Sequence, residues 1–332
     1  MIISKTPYRI SFFGGGSDYP AWYIKNGGKV LSTTINKYVY ISCRHLPPFF
    51  NHKYRIVWSK LETVKKISQI NHKAIREILN YYKIKNGLEI HYDGDLPARS
   101  GMGSSSVFVV GLLNILTNLL EKKLSKKKLA KKSIFFEQNI LKEHVGSQDQ
   151  IAVTYGGFNK ILFKKKGDFE VNPIILPKTI IKNLNSNLLL VYTGISRTAH
   201  DIAKGYINKL EKSKSSHILN ILNFVNEGER LLKAGSIDDF GKLLDESWKE
   251  KKALSSHISN SSIDSIYSLA TKHGALGGKL LGAGGGGFFL FYVPKEKQNI
   301  FKKYLSKTII IPFNFTNEGS EIMFNKNNDK IT

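Results

Sequence analysis

Leu96-Pro97-Ala98-Arg99-Ser100-Gly101-Met102-Gly103-Ser104-Ser105-Ser106 runs out of a turn and into the long apolar segment Val107 to Leu120. Two glycines let backbone approach a ligand closely, and three hydroxyls follow where a helix should begin. A helix N-terminus offers free N–H groups and the positive end of a dipole to an anion. The stretch therefore reads as a phosphate cradle, although an ordinary serine cap after a turn would look the same. The Walker pattern G-x-x-x-x-G-K-[ST] is absent, because Ser104 and not a lysine follows Gly103.

Working outward, 332 residues suggest two domains with a sizeable core, and 41% hydrophobic with 11% aromatic residues is a globular composition. No apolar run reaches the length of a membrane span. Met1 to Pro7 lacks the features of a signal peptide, and Cys43 is the single cysteine. A cytoplasmic protein without a disulfide framework is expected. The net charge of +24 invites a nucleic-acid reading. The excess is mainly lysine, in runs such as Lys126-Lys127-Lys128 that suit a solvated helix face, so neither nucleic acid nor membrane is expected as a partner. Arginine occurs at only seven positions, 9, 44, 55, 76, 99, 197 and 230, and is the more informative cation because it grips phosphate with two donors.

The first 60 residues read as strands and turns, with Val30–Ile35 and Tyr38–Ser42 split by Asn36-Lys37 as in a hairpin. Helical spacing follows over Lys73–Tyr82, then strand over Leu88–Tyr92, helices dominating from Ser105 to about Ile151, and strand over Phe158–Phe163. Residues 165–186 look like a crossing between domains. Beyond it come a buried strand at Leu188–Tyr192, helices at Ala199–Glu211, His217–Ala234, Ile237–Leu254 and Ser262–His273, and the strand Phe288–Val293. A helix and a last strand close the domain. The class is α+β, with an N-terminal domain over 1–170 and a C-terminal domain over 171–332.

Three further features carry chemistry. Gly282 to Gly287 matches G-x-G-x-x-G, but a strand follows it where a dinucleotide site needs a helix. It reads as a loop packed against a ligand or another piece of backbone. Arg9-Ile10-Ser11-Phe12-Phe13-Gly14-Gly15-Gly16-Ser17-Asp18 places an arginine on a strand and a polar pair after a glycine turn, where a polyol would fit; Asp18 as a helix cap is the plainer reading. Glu137 and Asp149 supply two carboxylates of the kind that magnesium-dependent phosphoryl transfer needs.

Together, in this order, the segments resemble the GHMP kinase superfamily along nearly the whole chain. Its three motifs are matched by Thr6-Pro7-Tyr8-Arg9 through Ser17-Asp18-Tyr19, by Pro97 to Ser106, and by Lys279 to Gly287. Val145 to Gln150 resembles the segment around the family's catalytic Asp. The resemblance implies a ribosomal-protein S5 domain-2-like N-terminal domain and a ferredoxin-like C-terminal domain, with ATP and Mg2+ bound at the active site between them. It implies that Pro97, Arg99, Gly101, Met102, Gly103, Ser104, Ser105 and Ser106 bind ATP, and that Glu137 with Ser104 or Ser105 holds the metal. Asp149 would take the acceptor hydroxyl proton, with Arg9 beside the transferred group. Gly15, Gly16, Ser17, Asp18, Gly285 and Gly286 would hold the acceptor. Gly14-Gly15-Gly16 departs from the Gly-Glu-His of galactokinases and is similar instead to the branch that phosphorylates sugars at the anomeric hydroxyl, on heptose 7-phosphate or fucose. Ser196 and Arg197, at an expected helix start, would then meet a terminal sugar phosphate, favouring the heptose phosphate; a capped helix with a solvated arginine would look alike. Lys279 is a further candidate for an anion contact but is expected at the surface. Oligomeric state is left open, and a sugar- and ATP-sensing protein without catalysis is the alternative of a different class.

Overall fold

The computed structural model describes residues 1–98, 100–195, 207, 210 and 213–326. Arg99, Ser196, Arg197 and most of the helix expected at Ala199–Glu211 lie outside them.

Strands β1 (Ile2–Phe13) and β2 (Gly28–His45) pair antiparallel as the spine of a nine-stranded sheet, joined through helix α1 (Pro20–Asn26). The expected hairpin at Asn36-Lys37 is instead a bulge within one 18-residue strand. Pro7 lies opposite Tyr38 and Tyr8 opposite Ile35, so two extra residues sit on β2. Pro7 has no N–H to give the ladder, and the bulge accommodates the loss. Along β2, one half pairs with β5 (Leu88–Gly94), which in turn pairs in parallel with β3 (Tyr54–Val57), itself paired with β4 (Leu61–Val64). The other half pairs with β6 (Asn159–Phe163), which is flanked by β7 (Phe169–Pro173).

Helix α2 (Lys73–Tyr81) lies between β4 and β5 in the chain. Helix α3 (Ser104–Leu119) is apolar on nearly every face, and all but four of its 16 residues are buried, as such a helix must be. Gly111 lets it sit close on β1: a Cβ there would lie 3.1 Å from Thr6 Oγ1. Helix α4 (Lys126–Phe135) runs into a turn of π-helix, Phe136–Ile140, and α5 (Gln148–Tyr155) follows.

After α6 (Lys178–Asn187), strand β8 (Leu188–Tyr192) opens a second sheet with β9 (Gly277–Leu280), β10 (Phe288–Tyr292) and β11 (Ile309–Ile311). Its order, β11-β8-β10-β9, all antiparallel, is that of a ferredoxin-like βαββαβ unit. Helices α7 (Ser215–Ala234), α8 (Ile237–Leu254) and α9 (Ser261–Lys272) lie between β8 and β9 in the chain, and α10 (Gln298–Tyr304) between β10 and β11.

The last strand expected, β11, does not end the chain. β12 (Phe315–Thr316) and β13 (Glu321–Asn325) return to the larger sheet, on β2 and β1. A boundary at residue 170 therefore cuts through β7 and assigns two strands of the first sheet to the second unit. The two lobes are joined by aromatic packing: Phe240 of α8 stands edge-on to Phe12 and Phe13 of β1, with ring centroids 5.2 and 5.1 Å apart.

Candidate active site

A cavity of about 520 Å³ opens between the lobes, with residues of β1, the start of α3, α5, α8 and the glycine run 282–287 in its walls. The loop read as a phosphate cradle adopts the backbone its glycines permit. Gly101 and Gly103 both adopt left-handed backbone, at φ +80° and +77°. A Cβ at Gly101 would lie 2.5 Å from Leu281 O, and one at Gly103 only 2.9 Å from Asp149 Oδ2. Gly103 caps α3, so the first-turn N–H groups of Ser104, Ser105 and Ser106 head a helix whose start faces the cavity. Met102 is fully buried in the core and Pro97 is exposed beside the cleft, so neither side chain lines the site.

The glycine run 282–287 is the backing of this cradle. A Cβ at Gly282 would meet Gly101 Cα at 2.5 Å, and one at Gly287 would meet Ser100 O at 2.1 Å. Phe288 N–H donates to Ser100 O (3.1 Å). Gly286 lines the cavity, whereas Gly285 turns its N–H back to Ile258 O (2.9 Å).

Arg9 and Asp149 meet in this cavity from opposite ends of the first lobe's sequence. Arg9 Nε and Nη2 donate to the two oxygens of Asp149 at 2.8 Å each, and Nη1 donates to Gly101 O at 3.0 Å. The fork fixes the carboxylate in one plane and ties it to the phosphate loop. Asp149 stands in the first turn of α5, where the dipole favours its charge. Its oxygens keep lone pairs free to accept from a substrate hydroxyl.

Glu137 is fully buried and accepts hydrogen bonds from Ser105 Oγ (2.8 Å), Ser106 Oγ (2.6 Å) and Gln150 Nε2. The sequence reading paired it with Ser104 or Ser105; the second hydroxyl on it is Ser106, while Ser104 lines the cavity. Desolvation pushes its carboxyl up to about 7, against the pull of those hydrogen bonds. All three partners are neutral, and Gln150 Oε1 beside it is buried without a partner. A carboxylate and hydroxyls at the phosphate cradle are the hard oxygen donors that Mg2+ takes together with substrate phosphates, so these residues fit the ion.

Asp18 is a buried lining residue and accepts from the amides of Gly16 (2.9 Å) and Gln148 (3.3 Å). Burial pushes it up to about 6. Gly146 is required here, because a Cβ would fall 1.8 Å from Asp18 Oδ2. Ser17, expected to hold the acceptor, points elsewhere: its hydroxyl donates to Gly14 O (2.8 Å) and Lys29 O (3.0 Å) and pins the turn. Gly15 and Gly16 both line the cavity. Ser11 Oγ and Gln148 Oε1, on lining residues, are buried without partners.

Several site residues escaped the sequence reading. Lys279 is buried rather than exposed, and its ammonium donates to Phe12 O across the lobes (2.6 Å). Strand β9 is buried along its whole length, which a lysine flanked by glycine and leucine does not announce. Lys251, on α8, also lines the cavity, with Ser247 and Leu254 on the same face; the i, i+4, i+7 spacing was the available signal. At the far end Trp58, His72, Phe108 and Tyr92 form an aromatic wall, with His72 4.9 Å from Trp58 and 4.8 Å from Phe108 between centroids. These residues lie far apart in the chain and share no motif. Among the described residues no cluster of three histidine, cysteine or acidic side chains forms, and no helix is long and apolar enough to cross a membrane.

Comparison with known proteins agrees with this geometry. Residues 66–157 match the family described as GHMP kinases N terminal domain, and residues 229–310 match GHMP kinases C terminal. The chain is 31% identical to the D-glycero-alpha-D-manno-heptose 7-phosphate kinase of Campylobacter jejuni, over 96% of this chain and 97% of that one. A crystal structure of a D-glycero-D-manno-heptose 1-phosphate kinase from Bacteriodes thetaiotaomicron superposes with a TM-score of 0.80 at 24% identity, covering 98% of this chain and 100% of that one. A putative sugar kinase from Campylobacter jejuni superposes at 0.73 with 28% identity, over 97% of each chain.

Proposed function

We propose, since the chain belongs to the GHMP kinase family and is an ATP-dependent small-molecule kinase, that it phosphorylates the anomeric hydroxyl of D-glycero-α-D-manno-heptose 7-phosphate. The product is the 1,7-bisphosphate, a precursor for nucleotide-activated (GDP) heptose, made in the cytoplasm. The observation that carries the choice of acceptor is Gly15. Nothing lies within 4 Å of a Cβ built there except Gln148 Nε2 at 3.5 Å, and its backbone makes no demand for glycine. A side chain would fit and would project into the cavity. Where galactokinases carry glutamate, this chain leaves the space open for a larger acceptor. The full-length similarity to a heptose 7-phosphate kinase supports the same reading.

The residues divide the work as follows. The aromatic wall around His72 suits a flat base, and the backbone of Gly101 to Ser106 receives the phosphates. Glu137, Ser105 and Ser106 would hold Mg2+ with them. The ion supplies charge neutralisation at the phosphates when bound. Asp18 and the unpartnered oxygens of Ser11 and Gln148 accept from acceptor hydroxyls and fix the sugar. Asp149 accepts the proton of the attacking hydroxyl, and Arg9 holds Asp149 in plane and offsets charge on the group in transit. Most of the rate comes from this positioning and electrostatics.

The test is a panel of sugars paired with their terminal phosphates, reading ADP release. The reading expects heptose 7-phosphate to give the highest kcat/KM. Equal or better turnover of fucose or of an unphosphorylated heptose contradicts it.

A further inference from the structure

We propose that Lys251 and Lys279 join Arg9 in a three-cation wall that receives a phosphate monoester or phosphoryl group inside the cleft. The inference rests on the sugar-kinase reading; Lys251 lies outside the motifs that led to it, while Arg9 and Lys279 lie within two of them. Arg9 comes from the larger lobe and the two lysines from the smaller one. All three line the cavity.

The lysines are placed by backbone, not by carboxylates. Lys279 donates to Phe12 O (2.6 Å), and Lys251 donates to Leu280 O (2.7 Å) and Gly282 O (2.6 Å). An ammonium has three donors, so Lys279 keeps two and Lys251 one for a further acceptor. Neither forms an ion pair among the described residues. The acids near α8 are engaged elsewhere, Asp264 by Lys252 and Asp245 by Lys249. Asp149 is bound to Arg9 in both oxygens.

Burying cations without counter-charge is unfavourable, and an apolar side chain of the same volume would pack at less cost. Burial and the neighbouring Arg9 hold Lys279 down to about 7, and burial, Lys279 and Arg9 push Lys251 well below the ordinary lysine range. An anion seated among the three favours the charged form of both lysines, so the wall is complementary to one. Ser11 Oγ, one residue before the Phe12 carbonyl that holds Lys279, is buried without a partner on the same wall and offers another donor. The loop lacks a Walker lysine, and Lys251 reaches it from behind through Gly282, whose backbone packs on Gly101. The anion has two sources with one chemistry: the acceptor's own phosphate or the phosphoryl group in transit.

Lys251→Met and Lys279→Met, with Lys251→Arg to keep the charge, separate them. Each is assayed on heptose 7-phosphate and on the same heptose without its phosphate. If the wall holds the acceptor's phosphate, kcat/KM on the phosphorylated sugar falls ten- to a hundredfold more than on the free sugar. If it holds the group in transit, kcat falls by that factor on both and KM for the sugar stays. In both cases Lys251→Arg recovers activity, which a purely structural tether does not require. Rates within twofold of wild type in both methionine variants overturn the proposal. Should the variants not fold, the wild-type Mg-ADP complex is titrated with inorganic sulfate by calorimetry. Saturable binding that heptose 7-phosphate or an ATP analogue displaces is expected, and no binding overturns the proposal. If wild type phosphorylates no sugar, the acceptor reading fails alone and the sulfate titration still decides the wall.

Discussion

In the proposed reaction Asp149 and Arg9 are the pair on which the chemistry turns, and the geometry gives them separate tasks. Arg9 commits three donors, two to Asp149 and one to Gly101 O, so it orients the base and the phosphate loop together. Asp149→Asn keeps the shape and removes the proton acceptor. We expect kcat to fall by about 10²–10⁴ with KM for ATP nearly unchanged; a variant that retains wild-type turnover would remove Asp149 from the role of base. Gly15→Glu probes the acceptor end. The backbone tolerates it, so melting should move by less than about 0.5 kcal/mol in stability terms. The carboxylate would occupy the space assigned to the sugar, and kcat/KM for heptose 7-phosphate should drop at least about tenfold, equivalent to 1.4 kcal/mol. Unchanged acceptor kinetics would show that Gly15 does not face the substrate.

At the scale of elements, the turn of π-helix at Phe136–Ile140 matters more than its five residues suggest. The sequence predicts helices dominating from Ser105 to about Ile151. The wider turn continues α4 and carries Glu137, which faces the serines at the start of α3. Its raised pKa has two consequences of opposite sign. In the metal-free protein the folded state holds the proton more tightly, so the stabilising contribution is full below the ordinary value of 4.5 and is lost as pH rises through about 7. A divalent cation needs the carboxylate, so Mg-ATP affinity should weaken as pH falls below about 7. Calorimetric titration across that range should show the dependence in wild type and little of it in Glu137→Gln; identical profiles would separate Glu137 from the metal. The glycines of the phosphate loop were legible because left-handed backbone against a neighbouring carbonyl admits little else. Of the two hydroxyls expected beside Glu137, Ser105 is there and Ser106 joins it, because helix phase at a cap is set by packing and not by composition. Lys279 was unreadable for a related reason: a lysine shows its charge in the sequence, while its burial is a property of the assembled sheet.

At the scale of the whole molecule, the ends of the chain meet. β13 pairs with β1 from Ile2↔Asn325 to Lys5↔Glu321, and β1 carries Arg9, Ser11 and the glycine turn into the cleft. The sequence gives no hint of this return, since a short strand followed by a polar tail reads as the close of the second unit. The ferredoxin-like second unit and the α+β first lobe followed from the resemblance of the motifs; the return is a tertiary pairing that local pattern does not encode. Removing residues 321–332 should therefore destabilise the protein by about 2–4 kcal/mol, by exposing the edge of β1, although the described residues 321–326 do not line the cavity. Urea denaturation measures it, and full stability in the truncated chain would show the return to be dispensable. The central claim, transfer of a phosphoryl group from ATP to the anomeric oxygen of heptose 7-phosphate, is tested most directly by phosphorus–proton correlation NMR of the reaction product. A new phosphorus resonance coupled to the anomeric proton, beside the retained terminal phosphate, is the expected result. A phosphate on any other carbon, or ADP formed with no sugar product, contradicts the account.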